Sequence, residues 1–553
     1  MKIMKFINKS WILIPGLVLA TASCTDLDTQ PEGGNSTSDQ KQEIAEAIPE
    51  RVAADLSGMY FSIGKQYCVY GEDNPRDDDF GYPAACLSLD LNGADMVSDA
   101  SGYNWFSVAS EYADRIYNYA NPNMRWAMIY NQIKMANDII ATIPEDNTDK
   151  TLNYYKAQAI ATRAFDYLTL VQQYQFTYKG NESKPAVPIV TDKVEGDLLN
   201  NPRASVQEVY DLIMDDLNTA IPLLEGYNRK SKNEIDQNVA YGLRARANLV
   251  MQNWAAAYED ATNALGGYTP YSRDEVSKPG FVDSNDHNWM WALILTPTNM
   301  PDAYPSWPSV ISSFSGDSYS CGVGCYKMIN TLLYTKIPDT DVRKGWWVDE
   351  KLDSPNLKNV SWRGYDGQPI GPLVVPDVKM AYLPYTNVKF GAYQGILGNN
   401  INAGDWCMMR AEEMILIQAE AKAMSGDLGG GKRILEDFVK NYRDPSYTSK
   451  ATSATGFQDE VWMQRRVELW GEGFALFDIL RLQKNVVRFN NRVESNFPDG
   501  FKFNLAANNG WLLMRIPRNE INANNGISES DNNNEGTLPQ SGEGAGLTDG
   551  VVD

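Results

Sequence analysis

Two stretches, RARANLVMQNWAAAYEDA at residues 244–261 and QAEAKAMSGDLGGGKRIL at 418–435, share one plan. Ala245 lies nine residues before Trp254, and Ala419 lies nine residues before Leu428. In each, small alanines let two helices approach closely, a short polar turn follows, and a large apolar residue opens the next helix. Gly429, Gly430 and Gly431 fit the same plan as a helix–helix turn with close packing, since no Lys-Ser or Lys-Thr follows them and no strand precedes them.

Helical periodicity spreads outward from these hairpins. It covers Ile44–Ile63, Met124–Ile143, Leu152–Tyr174, Ser205–Leu224, 236–252, 254–265, 408–424, 428–442 and parts of 457–484. Paired helices of this kind follow tetratricopeptide logic, although the irregular spacing makes the array degenerate; the alternative is two ordinary hairpins that happen to look alike. The expected fold is mainly α: a tetratricopeptide-like helical-pair scaffold over about 44–63, 124–265 and 408–484. Loop-rich insertions at 64–123 and 266–407 would form an irregular half of loops and short strands for ligand. Residues 267–407 hold seven of the fourteen tryptophans and twelve of the twenty-seven prolines, so this segment differs in kind from the scaffold.

The N-terminus sets the address. Lys2, Lys5 and Lys9 precede a short apolar run from Ile12 to Ala20, then Ala22, Ser23 and Cys24. That order predicts a secretory leader over 1–23 with a lipoprotein-type cleavage before Cys24. An ordinary leader cut near Ala22 is the alternative. Acyl chains on Cys24, at about 0.8 kcal/mol per buried methylene, would hold the body on a membrane. Residues 24–43 are polar and read as a flexible lipidated tether, leaving 44–553 as one body.

The 553 residues carry a net charge of −22, which argues against nucleic acid and against a basic membrane-binding face. It suits a neutral or cationic ligand. Cys321 and Cys325 are close enough in sequence to pair outside a reducing compartment. The single histidine, His287, and the absence of a Gly-x-Ser-x-Gly elbow leave little room for a Ser-His-Asp or Cys-His centre, and a His-rich metal site is excluded. No catalytic residue, metal ligand or cofactor is assigned. Asp77, Asp78 and Asp79 could lend oxygens to a structural calcium, the alternative being a solvated acidic loop.

What the loops do offer is aromatic surface. Tyr103, Asn104 and Trp105 lie together, and the large insertion adds Trp289, Trp291, Tyr304, Trp307, Tyr319, Trp346, Trp347 and Trp362. A sugar ring presents an apolar C–H face that an aromatic plane covers, while Asn, Asp and Arg meet the hydroxyls. Any single tryptophan here also suits packing beneath a loop.

Several motifs then carry a resemblance. They are Cys24-Thr25-Asp26-Leu27-Asp28 with Pro31, Arg163–Leu168 ending in Gln173-Tyr174, and Pro185 with Pro188-Ile189-Val190. MRAEEMILIQAEAKA from Met409, RRVELWGEGFALFDILRL from Arg465 and RIPRNEINANNGI from Arg515 complete the set. Their order resembles the SusD/RagB family of nutrient-binding lipoproteins; Ala475 and Leu476 depart from it, standing where that family often has a basic residue. The resemblance implies a helical half facing a TonB-dependent, SusC-like transporter barrel and an irregular half holding oligosaccharide or polysaccharide, the protein as a whole acting as a hinged lid on the transporter. It implies an outer-membrane, lipid-anchored (palmitate-bearing) protein facing the cell exterior, with no enzymatic role. The expected ligand residues are Trp105 for stacking and Asn104 for hydroxyls, then Tyr103, Trp291, Tyr304 and Tyr319. Peptide capture in the same import role, or a surface glycoside hydrolase, are the alternatives.

Overall fold

The computed structural model describes residues 42, 45, 47–100, 104–193, 197–357, 361–363, 369–372, 382–533 and 536–553. The leader, Cys24, nearly all of the tether and Tyr103 lie outside the described residues.

The long helices are α1 (Pro49–Ser62), α2 (Tyr82–Asn92), α3 (Ala120–Thr142), α4 (Lys150–Tyr174), α5 (Val206–Leu223), α6 (Gln237–Met251) and α7 (Trp254–Leu265). After the large insertion come α8 (Ala411–Met424), α9 (Leu428–Tyr442), α10 (Ala454–Glu468) and α11 (Ala475–Leu482). Caps fix their starts. Asp149 accepts the N–H groups of Thr151 and Leu152, Ser205 forms a capping box with Glu208, and Asp427 accepts Gly430 N–H at 2.7 Å.

Neighbouring helices pack in series, α3 on α4, α4 on α5, α5 on α6 and α6 on α7. The series continues from α7 directly to α8, then to α9 and α10. Residues 266–410 therefore leave the array and return to it without interrupting the stack. The alanine pattern explains the closeness: Ala245, Ala247, Ala257, Ala261, Ala419, Ala421 and Ala423 are all fully buried. At Gly431 a Cβ would meet Ala419 O and Ala423 Cβ at 2.7 Å each, so α9 can approach α8 only with glycine there. Charged pairs tie the stack across its seams. Arg244 on α6 forks onto Asp260 of α7 at 2.9 and 2.7 Å, and Arg246 forks onto Glu413 of α8 at 2.7 and 2.6 Å.

The strands are short and form two-stranded antiparallel pairs: β1 (Met96–Ser98) with β3 (Lys327–Ile329), β2 (Trp289–Leu293) with β6 (Trp406–Arg410), and β4 (Ser361–Arg363) with β5 (Pro369–Pro372). The architecture is mainly helical, as the periodicity predicts. Segment 64–123 differs from its loop-rich reading because it contains α2. Every residue of YPAACLSLDLN in that helix is buried, so it has no polar face and shows no amphipathic period. The tryptophans of the large insertion mostly pack inward, into the core shared with the scaffold: Trp289, Trp307, Trp346 and Trp347 are at most 1% exposed, and Trp347 meets Trp470 edge to face. No described helix is long and apolar enough to cross a membrane.

A buried ionic cluster joins the insertion to the scaffold. Glu468, at the end of α10, accepts from Arg443 at 2.7 and 2.8 Å, from Arg410 at 2.8 Å and from Arg343 at 3.1 Å. Glu472 accepts from Arg410 at 2.8 and 2.9 Å and from Lys389 at 2.6 Å. Arg343 and Lys389 belong to the insertion, whereas Arg410, Arg443 and both glutamates frame the scaffold. With Asp341 and Glu412 the cluster balances four cations with four carboxylates. Such balance is what makes charge tolerable in a low-dielectric interior. Burial opposes ionisation of Glu468, but Arg443, Arg410 and Arg343 together outweigh it and hold the carboxyl well below its usual range.

Candidate functional site

The site is built by three loops, starting with 67–79. Its base is buried: Asp79 accepts the N–H groups of Val69 and Tyr70 at 2.9 and 2.8 Å, and Asp78 accepts Asn121 Nδ2 at 3.1 Å. Asp78 also receives both Nε and Nη2 of Arg76, each at 2.9 Å. Asp77 points elsewhere and accepts the Tyr319 hydroxyl. The three adjacent carboxylates thus serve three different partners, so they do not gather into the calcium site that their adjacency suggests. Among the described residues no cluster of His, Cys, Asp and Glu is arranged to hold a metal.

The second loop displays Trp105. Asn104 is buried, donates Nδ2 to Asp99 O at 2.7 Å, and accepts Phe106 N–H at 3.2 Å. Phe106 is buried against Phe80, with ring centroids 5.8 Å apart. With both neighbours anchored inward, the indole of Trp105 is turned out and remains 38% exposed. Its Nε1–H donates to Tyr319 Oη at 2.8 Å, which fixes the ring plane. The Arg76 guanidinium lies 5.5 Å from the ring centroid, over one face.

The third loop, 302–319, comes from the large insertion. Gln66 locks it to the first by donating to Asp302 O at 2.6 Å and Pro305 O at 3.1 Å. Tyr304 and Tyr319 meet edge to face with centroids 5.0 Å apart. Tyr304 donates to Asp317 at 2.6 Å and Tyr67 donates to Asp302 at 2.9 Å. The hydrogen bond to Asp317, aided by burial, raises the Tyr304 hydroxyl above its ordinary pKa. Burial and then the Asp77 bond do the same at Tyr319. These phenols therefore stay protonated at neutral pH.

The result is an exposed indole flanked by tyrosine–aspartate pairs. Of the residues singled out from the sequence, Trp105, Tyr304 and Tyr319 come together here. Asn104 does not face ligand space; both ends of its amide serve the backbone turn. Trp291 is a correction too: it lies in β2 at 2% exposure, donates to Asn233 O at 3.1 Å and packs on Phe165, because an all-buried strand leaves no side open to solvent. Tyr67, Arg76, Asp302 and Asp317 escaped the sequence reading. No spacing signals them, since loops more than two hundred residues apart supply them.

Comparison with known proteins agrees with this architecture. Residues 85–249 match a SusD-like family model described as starch-binding and associating with the outer membrane, and residues 352–535 match the SusD family model. Among curated proteins none matches the sequence. A SusD-like carbohydrate-binding protein from Bacteroides vulgatus shares the fold with a TM-score of 0.70 at 24% identity, over 88% of this chain and 98% of its own. A SusD superfamily protein from Bacteroides thetaiotaomicron aligns with a TM-score of 0.66 at 20% identity, over 88% and 99%. A laminarin-binding SusD-like protein aligns at 0.58 and 16%, over 86% and 97%. The fold is thus that of a SusD-like helical-pair protein carrying a loop-built face. The chain belongs to the SusD/RagB family.

Proposed function

We propose that this protein is a non-enzymatic glycan-binding lipoprotein that captures oligosaccharide or polysaccharide at the cell surface and hands it to a TonB-dependent transporter barrel. The exposed, fixed indole of Trp105 among Tyr304, Tyr319, Asp77 and Arg76 carries this reading. A rigid aromatic plane with polar groups at its rim suits the apolar face and hydroxyl edge of a sugar ring. The family's described association with starch and the outer membrane, and the laminarin-binding relative of the same fold, support it. Acylation of Cys24 and display on the outer face of the outer membrane complete the proposal. The tether would let the body move as a lid while staying attached.

Affinity electrophoresis in polysaccharide gels, followed by calorimetry with oligosaccharides, tests the ligand class. Retardation by at least one glycan is expected. Binding of peptides at micromolar concentration with no glycan bound would sink the reading in favour of peptide capture. Release of product from a bound polysaccharide, abolished by changing one carboxylate, would overturn the non-enzymatic part. Co-purification of a β-barrel partner with the tagged protein is expected.

A further inference from the structure

The hydrogen-bond polarity of the Trp105 face says which glycans it takes. Three tyrosine hydroxyls surround it, and each donates to a different carboxylate: Tyr67 to Asp302, Tyr304 to Asp317 and Tyr319 to Asp77. A phenol has one proton, so a hydroxyl spent in this way offers a ligand only lone pairs. The carboxylates likewise offer only lone pairs. The single N–H of the Trp105 indole is already donated to Tyr319. Among the described residues, Arg76 is the cation over the Trp105 ring, and Asp78 engages it through two bonds. The charge influence of Asp77 reaches both Tyr67 and Tyr304, so the three pairs share one neighbourhood.

Among the described residues the rim is therefore rich in acceptors, poor in donors and negative. A neutral sugar hydroxyl can turn its proton toward such a rim. A uronate carboxylate or a sulfate has no proton to give at neutral pH and brings a like charge beside carboxylates in a partly desolvated place. The chain's net charge of −22 adds a long-range field of the same sign.

We propose that the Trp105 face selects neutral or amino-bearing glycans and rejects anionic ones, with Asp77, Asp302 and Asp317 as the residues that set this preference. The proposal rests on the glycan reading above and goes beyond it to the charge class of the ligand.

The test uses the whole soluble body and matched probes. Oligosaccharides of β-1,3-glucan, starch, cellulose and mannan are each compared with their C6-oxidised, uronate-bearing forms by calorimetry at low and at physiological salt. For every neutral probe that binds, the oxidised form is expected to bind at least ten-fold more weakly, with the gap narrowing as salt rises. In Asp302→Asn/Asp317→Asn the ratio between the neutral and oxidised forms should shrink to a few-fold, each form being read on the same variant whatever its absolute affinity for the neutral probe. Equal or tighter binding of the oxidised forms overturns the charge preference and leaves glycan capture standing. Binding of neither form overturns both. An unchanged gap in the double variant, with neutral binding and melting temperature retained, removes Asp302 and Asp317 as determinants.

Discussion

Truncating Trp105 to alanine should remove most of the glycan affinity without disturbing the fold. Trp105 is 38% exposed, and a tryptophan buries up to about 250 Å², so roughly 95 Å² at most is open to a ligand. Covering that area at about 25 cal/mol per Å² contributes about 2.4 kcal/mol, counting the protein side alone. A loss of about 50-fold in affinity follows at about 1.4 kcal/mol per decade. Trp105→Phe keeps a ring but loses the N–H that Tyr319 accepts, so its plane is less well fixed and its loss should be intermediate. Isothermal calorimetry with a glycan identified by gel retardation reads the affinity, and thermal melting checks the fold. The melting temperature should hold, because Asn104 and Phe106, not Trp105, anchor this loop. A Trp105→Ala protein that binds every accepted glycan within two-fold of the wild type would refute the placement of the site.

Other outcomes follow from the interior and the N-terminus. Glu468→Gln removes the negative charge shared by Arg343, Arg410 and Arg443, turns one of its two acceptor oxygens into an N–H donor facing them and leaves the cluster one charge positive, which should cost about 3–5 kcal/mol. For a body of roughly 500 residues, unfolding entropy near 1 kcal/mol/K makes this a drop of about 3–5 °C in Tm. Asp339→Asn at the exposed pair with Lys344 is the control and should shift it far less. Asp166, wholly buried on α4 with no hydrogen-bond partner on either oxygen, has its carboxyl raised well above the ordinary value by burial alone. The folded state thus keeps a proton that the unfolded chain releases: the stabilisation is full below about pH 3.9 and is lost as pH rises toward the folded value. Asp90, pushed up to about 7 by burial, steepens the same decline between about pH 4 and 7. Asp166→Asn should therefore melt higher than the wild type at pH 8 and no higher at pH 4; the same difference at both would count against it. Cys24→Ala should abolish incorporation of labelled palmitate and release the protein from the membrane fraction, and persistent label would show that the lipid sits elsewhere.

The scaffold was legible because its signals are local. Alanine spacing and helical periodicity placed most helices within a few residues of their observed ends, where the structure shows caps such as Asp149 and Ser205. α2 was not legible, since a helix buried on all sides has no period to read. The aromatic content of the large insertion pointed to a binding face and also concealed it. Most of those tryptophans fill the interior, and nothing in composition separates Trp291 in a buried strand from Trp105 on a displayed turn. Burial of Asn104 was equally unreadable: an asparagine that caps a turn and one that meets a hydroxyl are the same letter. The partners of the acidic triplet were unreadable for a related reason, because adjacent side chains on a loop can point to three different partners.

The motif that carries the family likeness explains why fold and ligand separate so cleanly. Arg465, Glu468, Glu472, Asp478 and Arg481 are all buried, and their partners are one another, Arg343, Lys389, Arg410, Arg443 and Glu420. None reaches the Trp105 face. Glu468 and Glu472 hold a long, weakly patterned insertion against the helical stack, while Arg465, Asp478, Arg481 and Glu420 tie the scaffold helices to one another. A buried, balanced charge cluster is directional and tolerates few alternative registers. Loop 302–319 can then meet loops 67–79 and 104–106 at fixed distance although hundreds of residues separate them. It follows that exchanging those three loops between family members should move ligand preference while leaving the cluster and the melting temperature nearly unchanged. A change in the cluster should do the reverse, lowering stability first and affinity only as the loops lose their common frame.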